Sequence, residues 1–407
     1  MTAPASLREE DEVSVDLPDD GLRITQLVEY SFNSHFLVPT DGWSVTVADP
    51  TRDRKLRAAL LPGKRVTFSI NGHVNSSGFI DKRTISGDRE NGTIIRIDGR
   101  DRLGQAVSGH VDPKLRFTTS MSLLDMLRAV FAPYGWSRED QFAVSDEANL
   151  NIITGSKRGI RRSPRRRRPL KSVLLHQLKP YPKEGAFSFA SRVSQRHGLW
   201  IWTSADGETL IVDKPSFDQD PRYTISRRIG DDGRANTILS GDAPLDNTEQ
   251  PSIIIATGYG SGAEFPHARL KVAMVNPFVT ADVTDVLERH KDALIVKPDY
   301  EPASPLASPI ALPVYLHDDE SQTIEQLTNF VRREMSLRMH HQFHGQYVVR
   351  GHSMNGSVWA VNTIVDVADE IADVAEPLWI LSRTFLRNRS SGIRTHIDVI
   401  RPGSIAF

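Results

Sequence analysis

The sequence predicts a mainly β protein with an α/β insertion, of the α+β class. Three observations carry this reading. Strand patterns fill the region from Val13 to Asp112 and return after Asn236. A helix followed by a hairpin lies between them, at Gly185 to Pro215. One long amphipathic stretch, Ser321 to Met339, interrupts the second β region.

Composition excludes several function classes. Fifty Lys and Arg oppose 51 Asp and Glu, so no net charge drives the chain toward nucleic acid or a membrane. Hydrophobic content of 39% builds cores, but no apolar run approaches the roughly 20 residues a bilayer crossing needs. The opening MTAPASLREEDEVSVDLPDD is polar and acidic, unlike a signal peptide. The absence of cysteine excludes disulfides and thiolate metal sites, and fits synthesis in a reducing cytosol. At 407 residues the chain suits about two to four domains.

Residues 1–12 read as an acidic arm, and Glu9 to Asp20 holds seven acids. The first β domain is expected over 13–112. Leu22 to Phe32, Trp43 to Val47, Arg65 to Ile70, Gly78 to Ile85 and Thr93 to Ile97 are strands between Gly, Asn and Asp turns. Asn71-Gly72 is a strong hairpin signal. Five such strands suggest a small barrel or sandwich, closed by a polar loop from Gly99 to Gly109.

An α/β domain follows over 113–235. Ser122 starts a helix with Asp125 three residues on, an acidic variant of the capping box. Leu123, Leu127, Val130 and Tyr134 share its apolar face, and Gly135 ends it. An Arg-rich insertion spans 137–172. Ala186, Ala190, Val193 and His197 then fall at helical spacing before Gly198. Leu199 to Trp202 and Leu210 to Val212 are strands joined by a two-residue turn at Asp206-Gly207.

A second β domain is expected over 236–407. Ser252 to Thr257 and Ala268 to Val275 are strands, and 298–313 is a Pro-rich insertion. In the helix over 321–339, Ile324, Leu327, Val331 and Met335 form the buried stripe. Gln346 to Val349, Val358 to Ala360, Ile364 to Val367, Leu378 to Thr384 and Thr395 to Val399 complete the strands.

One constellation stands out by charge. Lys157, Arg158, Arg161, Arg162, Arg165, Arg166, Arg167, Arg168 and Lys171 put nine cations within fifteen residues. Such a block can bind phosphates with steep salt dependence. No aromatics interleave to stack bases, so a solvated loop or a basic arm for an acidic partner surface is the plainer account. His340 and His344 have the i, i+4 spacing of a zinc pair, but the position after the first is His341 where a zinc protease needs Glu. Gly258, Gly260 and Gly262 lack the spacing of a dinucleotide loop and reach Pro266 instead of a helix. No catalytic motif, metal site or cofactor loop is legible, so the expectation is a non-enzyme with no cofactor.

Several colinear motifs are similar to the Mu-type baseplate hub protein of contractile phage tails. Arg196-His197-Gly198-Leu199 and Trp202 to Gly207 match its helix end and its Trp-x-x-x-Asp-Gly hairpin. Gly78-Phe79-Ile80-Asp81 and Gly99-Arg100-Asp101 match two more of its segments. Arg332, Arg333 and Arg338 precede Val348 to Gly351, then Gly356 to Asn362 with its central Trp359, and a short tail runs from Arg401-Pro402 to Phe407. The likeness covers most of 13–407; the acidic arm, the Arg-rich insertion and the Pro-rich segment depart from it.

The resemblance implies a homotrimer in which two tube-like β-barrel domains per chain flank the helix-plus-hairpin domain. Together these form a pseudo-sixfold, trimeric ring. The strands of Arg65 to Ile97 and of Gln346 to Val367 are expected to build the ring barrels. It further implies a structural role in the virion, after synthesis in the host cytoplasm, as a symmetry adaptor between sixfold tube and threefold spike. Partners would be the tail tube protein, the central spike protein and other baseplate wedge proteins, with the tape measure protein a further candidate. DNA would pass transiently through the lumen during ejection, and no membrane is involved. Two alternatives remain: a nucleic-acid-binding protein using the basic run, and a tail-associated cell-wall hydrolase. A spike-type secretion component would share the fold.

Overall fold

The computed structural model describes residues 11–49, 51–88, 92–117, 121–145, 179–230, 236–248, 250–259, 269–297, 306–308, 311–319, 321 and 323–405. Apolar residues alternating with polar ones make the first strands. These are β1 (Val13–Leu17), β2 (Leu22–Ile24), β3 (Leu27–His35), β4 (Gly42–Ala48), β5 (Arg65–Ile70), β6 (His73–Asp88) and β7 (Gly92–Asp101). They lie in the order β3-β4-β7-β6-β5-β1-β2 and pair antiparallel. Asn71 and Gly72 take φ of 51° and 79°, the left-handed pair that a tight β5–β6 hairpin requires.

Two expectations in this region are corrected. Leu22 to Phe32 is not one strand: the chain turns at Thr25-Gln26, where the Leu27 N–H donates to the Thr25 carbonyl at 3.1 Å. The stretch from Gly99 to Gly109 is not a polar loop. After α1 (Arg54–Ala59), it forms the end of β7 and then α2 (Leu103–Ser108). Leu103 and Ala106 are wholly buried, an apolar pair too short to register as a helical period.

The α/β unit contains α3 (Leu123–Phe131), β8 (Phe142–Val144), α4 (Ala186–Gln195), β9 (Trp200–Thr203) and β10 (Leu210–Asp213). Its small sheet runs β8-β10-β9. The capping box forms: Ser122 Oγ accepts from the Asp125 N–H at 3.1 Å, and Asp125 Oδ2 from the Ser122 N–H at 3.0 Å. Leu123, Leu127 and Val130 pack with Phe189, Ala190 and Val193 of α4 in one apolar cluster. The hairpin turn is longer than the expected two residues, running from Ser204 to Thr209. Its closing bond goes from the Ser204 N–H to the Thr209 carbonyl at 2.9 Å.

Beyond it come β11 (Tyr223–Arg227) and β12 (Ile238–Asp242). A separate layer follows: β13 (Ile253–Tyr259), β14 (Arg269–Val275), β15 (Val279–Thr280), α5 (Thr284–Arg289), β16 (Leu294–Val296), β17 (Leu306–Ala307), β18 (Pro313–Asp318) and α6 (Ile324–Met339). Its mixed sheet runs β16-β14-β13-β18. Leu327, Val331, Met335 and Met339 of α6 seal one face of that sheet against Ile254, Val272 and Met274. Ile324 departs from the expected stripe. As the first helical residue after the Thr323 N-cap it lies beyond the sheet, 40% exposed.

The chain then returns through β19 (Gly345–Arg350), β20 (Ser353–Met354), β21 (Ser357–Val358), β22 (Ile364–Asp369), β23 (Val374–Asn388) and β24 (Gly392–Ile400). The sequence β12-β19-β24-β23-β22-β11 curls round on itself. Bonds from the Thr237 N–H to the Ser226 carbonyl (3.0 Å) and from the Ser226 N–H to Thr237 Oγ1 (2.8 Å) bring its two ends together. The molecule is thus mainly β, built on a curled, largely antiparallel sheet. The first and last β regions meet where β3 pairs antiparallel with the second half of β23, from Ser382 opposite His35 to Arg387 opposite Tyr30.

Candidate assembly interface

The β3–β23 seam is packed as a core. Phe32 stacks on Phe68 with centroids 5.2 Å apart and faces Phe385 at 6.1 Å, so one apolar cluster runs through both β regions. A second aromatic cluster anchors the α/β unit to the same seam. Phe36, just after β3, lies 5.1 Å from Trp379 and 5.4 Å from Trp202 of the hairpin. Glu208 extends this link by pairing with Arg102 at 3.1 Å and with Arg65.

Two buried polar side chains, Arg383 and His352, cross the seam; Asp41 feels the charge of Arg383, and Asp101 that of Asp41. Arg383, 6% exposed, donates from Nη1 to Asn75 Oδ1 at 3.2 Å, and its guanidinium lies 4.6 Å from the Phe385 ring centroid. Burial draws its pKa down to about 10. Asp41 retains some open surface, yet loss of surrounding water still pushes it up to about 6 against the pull of Arg383. Asp101 is pushed up to about 8, first by burial and then by the charge of Asp41. His352, wholly buried, is drawn down to about 4 by burial. Its tautomer follows from its neighbours. Thr395 Oγ1 donates to the Gly351 carbonyl at 2.5 Å, so it accepts from His352 Nδ1 at 3.0 Å. Nε2 is then the acceptor for the Tyr30 hydroxyl at 2.7 Å.

The motifs read from sequence take defined places. Gly78 faces Asp101 and Ile80 faces Gly99 across β6–β7, so the two segments are cross-strand partners. At Gly78 a Cβ would meet the Arg100 carbonyl at 1.9 Å; only glycine admits the neighbouring strand this closely. Trp359 is buried 4.3 Å from the Tyr223 ring. Asn362 takes φ of 59°, and its Oδ1 accepts from Trp379 Nε1 at 3.2 Å and the Ser216 N–H at 3.0 Å.

Among the described residues the sheet keeps an open edge at β2, which pairs with β1 alone. β2 and β12 end its longest path, and Leu239 on β12 is 41% exposed. In the separate layer the edge strands β16 and β18 present Leu294, Ile295 and Tyr315 at 50%, 56% and 54% exposure. Free edges carrying apolar side chains are what a neighbouring chain can complete.

The basic run from Lys157 to Lys171 lies outside the described residues, as do residues 1–10 of the acidic arm and Gly260 to Gly262. His340 caps α6 and its Nδ1 contacts the Ser336 carbonyl at 3.0 Å; the His341 ring lies beside it, tilted, with centroids 3.9 Å apart. Among the described residues no group of three or more His, Asp or Glu is placed to hold a metal ion. No described helix is long and apolar enough to cross a membrane. Arg383, Asp41 and His352 were not singled out in the sequence, and Asp101 only within the Gly99-Arg100-Asp101 motif, because the four lie up to 342 positions from one another along the chain and no local pattern brings them together.

No protein-family model matches the chain, and no curated protein matches its sequence. Solved structures do match. A tail protein from Neisseria meningitidis MC58 superposes with a TM-score of 0.69 at 18% identity, covering 98% of this chain and 99% of its own. The 43 kDa tail protein of prophage MuSo2 from Shewanella oneidensis gives 0.66 at 16%, covering 97% and 99%. Prophage tail protein gp18 from Listeria monocytogenes EGD-e gives 0.51 at 9%, covering 95% and 94%. The chain shares the fold of these tail proteins over nearly its whole length.

Proposed function

We propose that this chain is a structural baseplate hub protein of a contractile phage tail. Three copies close into a ring that joins the sixfold tail tube to the threefold spike and forms part of the DNA ejection channel. The observation that carries this reading is the end-to-end likeness to two tail proteins, one of them from a prophage, with almost nothing left over in either chain. The edge at β2, which among the described residues pairs with β1 alone, supports it, since a ring removes exposed edges by pairing them with neighbours. An obligate ring of this kind buries roughly 2,000 Å² or more at each contact. The role is mechanical: the aromatic clusters at the seam hold two β regions and the α/β unit as one block that transmits load.

The basic segment with Lys157, Arg158, Arg161, Arg162, Arg165 to Arg168 and Lys171 is, in this reading, an interaction loop for an acidic partner surface. Electron-microscopy class averages of the purified protein test the ring. Threefold particles with six similar outer lobes are expected; particles with twofold symmetry would refute it.

A further inference from the structure

We propose that the cleft between the β5–β6, β20–β21 and β23–β24 turns is a docking site for an acidic polypeptide segment of a partner protein, gripped by Arg350 and Arg387. The cleft encloses about 970 Å³, and both arginines line it together with Asn71, Ser353, Asn355 and Ser391. Arg350 is exposed and Arg387 half-buried. Among the described residues neither guanidinium has a carboxylate within ion-pair distance.

Two acids, Asp11 and Glu12, share the cleft, but among the described residues neither makes an ion pair with Arg350 or Arg387. Asp11 lines the cleft, but its carboxylate accepts from Asn71 Nδ2 at 2.7 Å, from Ser353 Oγ at 2.6 Å and from the His352 N–H. Register adds a further cation: Arg350 of β19 lies directly opposite Arg394 of β24, a like-charge pair that a sheet does not favour. Arg394 Nε is held by the Ser391 carbonyl at 2.8 Å, which fixes its position without neutralising it. A carboxylate entering the cleft would relieve this repulsion and accept charge-assisted bonds from Arg350 and Arg387.

The lining favours a polypeptide over nucleic acid. Glu12 stands exposed in the same cleft and opposes any anion there, peptide carboxylates as well as phosphates. Met354 and Ile393 are its larger apolar members, so it offers no aromatic face on which bases could stack. The amides of Asn71 and Asn355 and the hydroxyls of Ser353 and Ser391 match the donors and acceptors of an extended main chain.

The inference rests on the cleft alone and stands whether or not the hub reading does. Its test uses the full chain and three labelled probes at moderate salt: a Glu/Ser peptide, its Gln/Ser counterpart and a single-stranded DNA of similar length. Fluorescence anisotropy should show the Glu/Ser peptide binding at least about tenfold more tightly than the Gln/Ser peptide. The double variant Arg350→Gln/Arg387→Gln should lose about tenfold or more, while Arg54→Gln/Lys55→Gln, the same charge change on exposed residues of α1, should not. Glu12→Gln should tighten binding. Equal binding of the two peptides, absence of Glu/Ser binding, an equal loss in both double variants, or preference for the DNA would each overturn the proposal. Unchanged melting of the Arg350→Gln/Arg387→Gln protein separates lost docking from lost folding.

Discussion

Gly99 lies against the face of Trp43, at a point where a side-chain carbon would come within 2.3 Å of the indole ring and of the Phe79 carbonyl. Trp43 and Gly99 are cross-strand partners on β4 and β7, and Ile80 flanks Gly99 on β6. The large residue therefore occupies the space that the missing side chain leaves. Gly99→Ala should destabilise the protein by about 1–3 kcal/mol through overpacking. Thermal melting of the variant checks this, and a fall in melting temperature without loss of the β spectrum at low temperature is expected.

The buried His352 sets the acid side of the stability profile. Its folded pKa, about 4, lies below the ordinary 6.5, so the unfolded chain binds more protons between those values. Stability is therefore lost as pH falls from 6.5 toward 4. His352→Gln should be less stable at neutral pH, because Tyr30 and Thr395 lose part of their hydrogen bonding, but its acid slope should be shallower. Chemical denaturation at a series of pH values measures both.

Asp101 acts in the opposite direction. Its folded pKa, about 8, lies above the ordinary 3.8, so its contribution is full in acid and is lost as pH rises through about 8. Asp101→Asn keeps an oxygen to accept from the Gly104 N–H, a bond of 3.2 Å. The wild-type melting temperature should fall as pH rises from about 4 to about 8 and level off above that, and the Asn variant should fall less across the same window.

Much of the fold was legible because it is local. The alternation in β3 and β4, the Asn71-Gly72 turn, the Ser122–Asp125 box and the α6 stripe each lie within a few residues of chain. What escaped was set at a distance. Helix α2 is too short to show a period and forms because Leu103 and Ala106 have an apolar cluster to enter. The break before Leu27 follows from β1 pairing with both β2 and β5, a constraint no local pattern displays. The seam's Arg383 reaches Asn75 across 308 positions.

Asn362 separates two costs that are usually merged. Its φ of 59° strains most residues, and its side chain satisfies Trp379 and the Ser216 N–H. Asn362→Gly keeps the backbone but leaves a buried indole N–H unpaired, which should cost about 1–3 kcal/mol. Asn362→Ala should cost about 1 kcal/mol more, from the left-handed backbone alone. Denaturant titration of both variants gives the difference directly.

The basic run should act as an arm and not as part of the fold. Deleting 155–171 is expected to leave thermal melting unchanged while moving elution from a polyanion column to markedly lower salt. A large fall in melting temperature would mean that the segment is built into the core.

The central claim is that three copies of this chain close a ring. Light scattering of the full-length protein over a concentration series at moderate salt tests it most directly. The account predicts a particle of three times 45.5 kDa that persists on dilution. A stable dimer would contradict it, because a twofold contact uses the same surface on both copies and cannot close three chains around one axis.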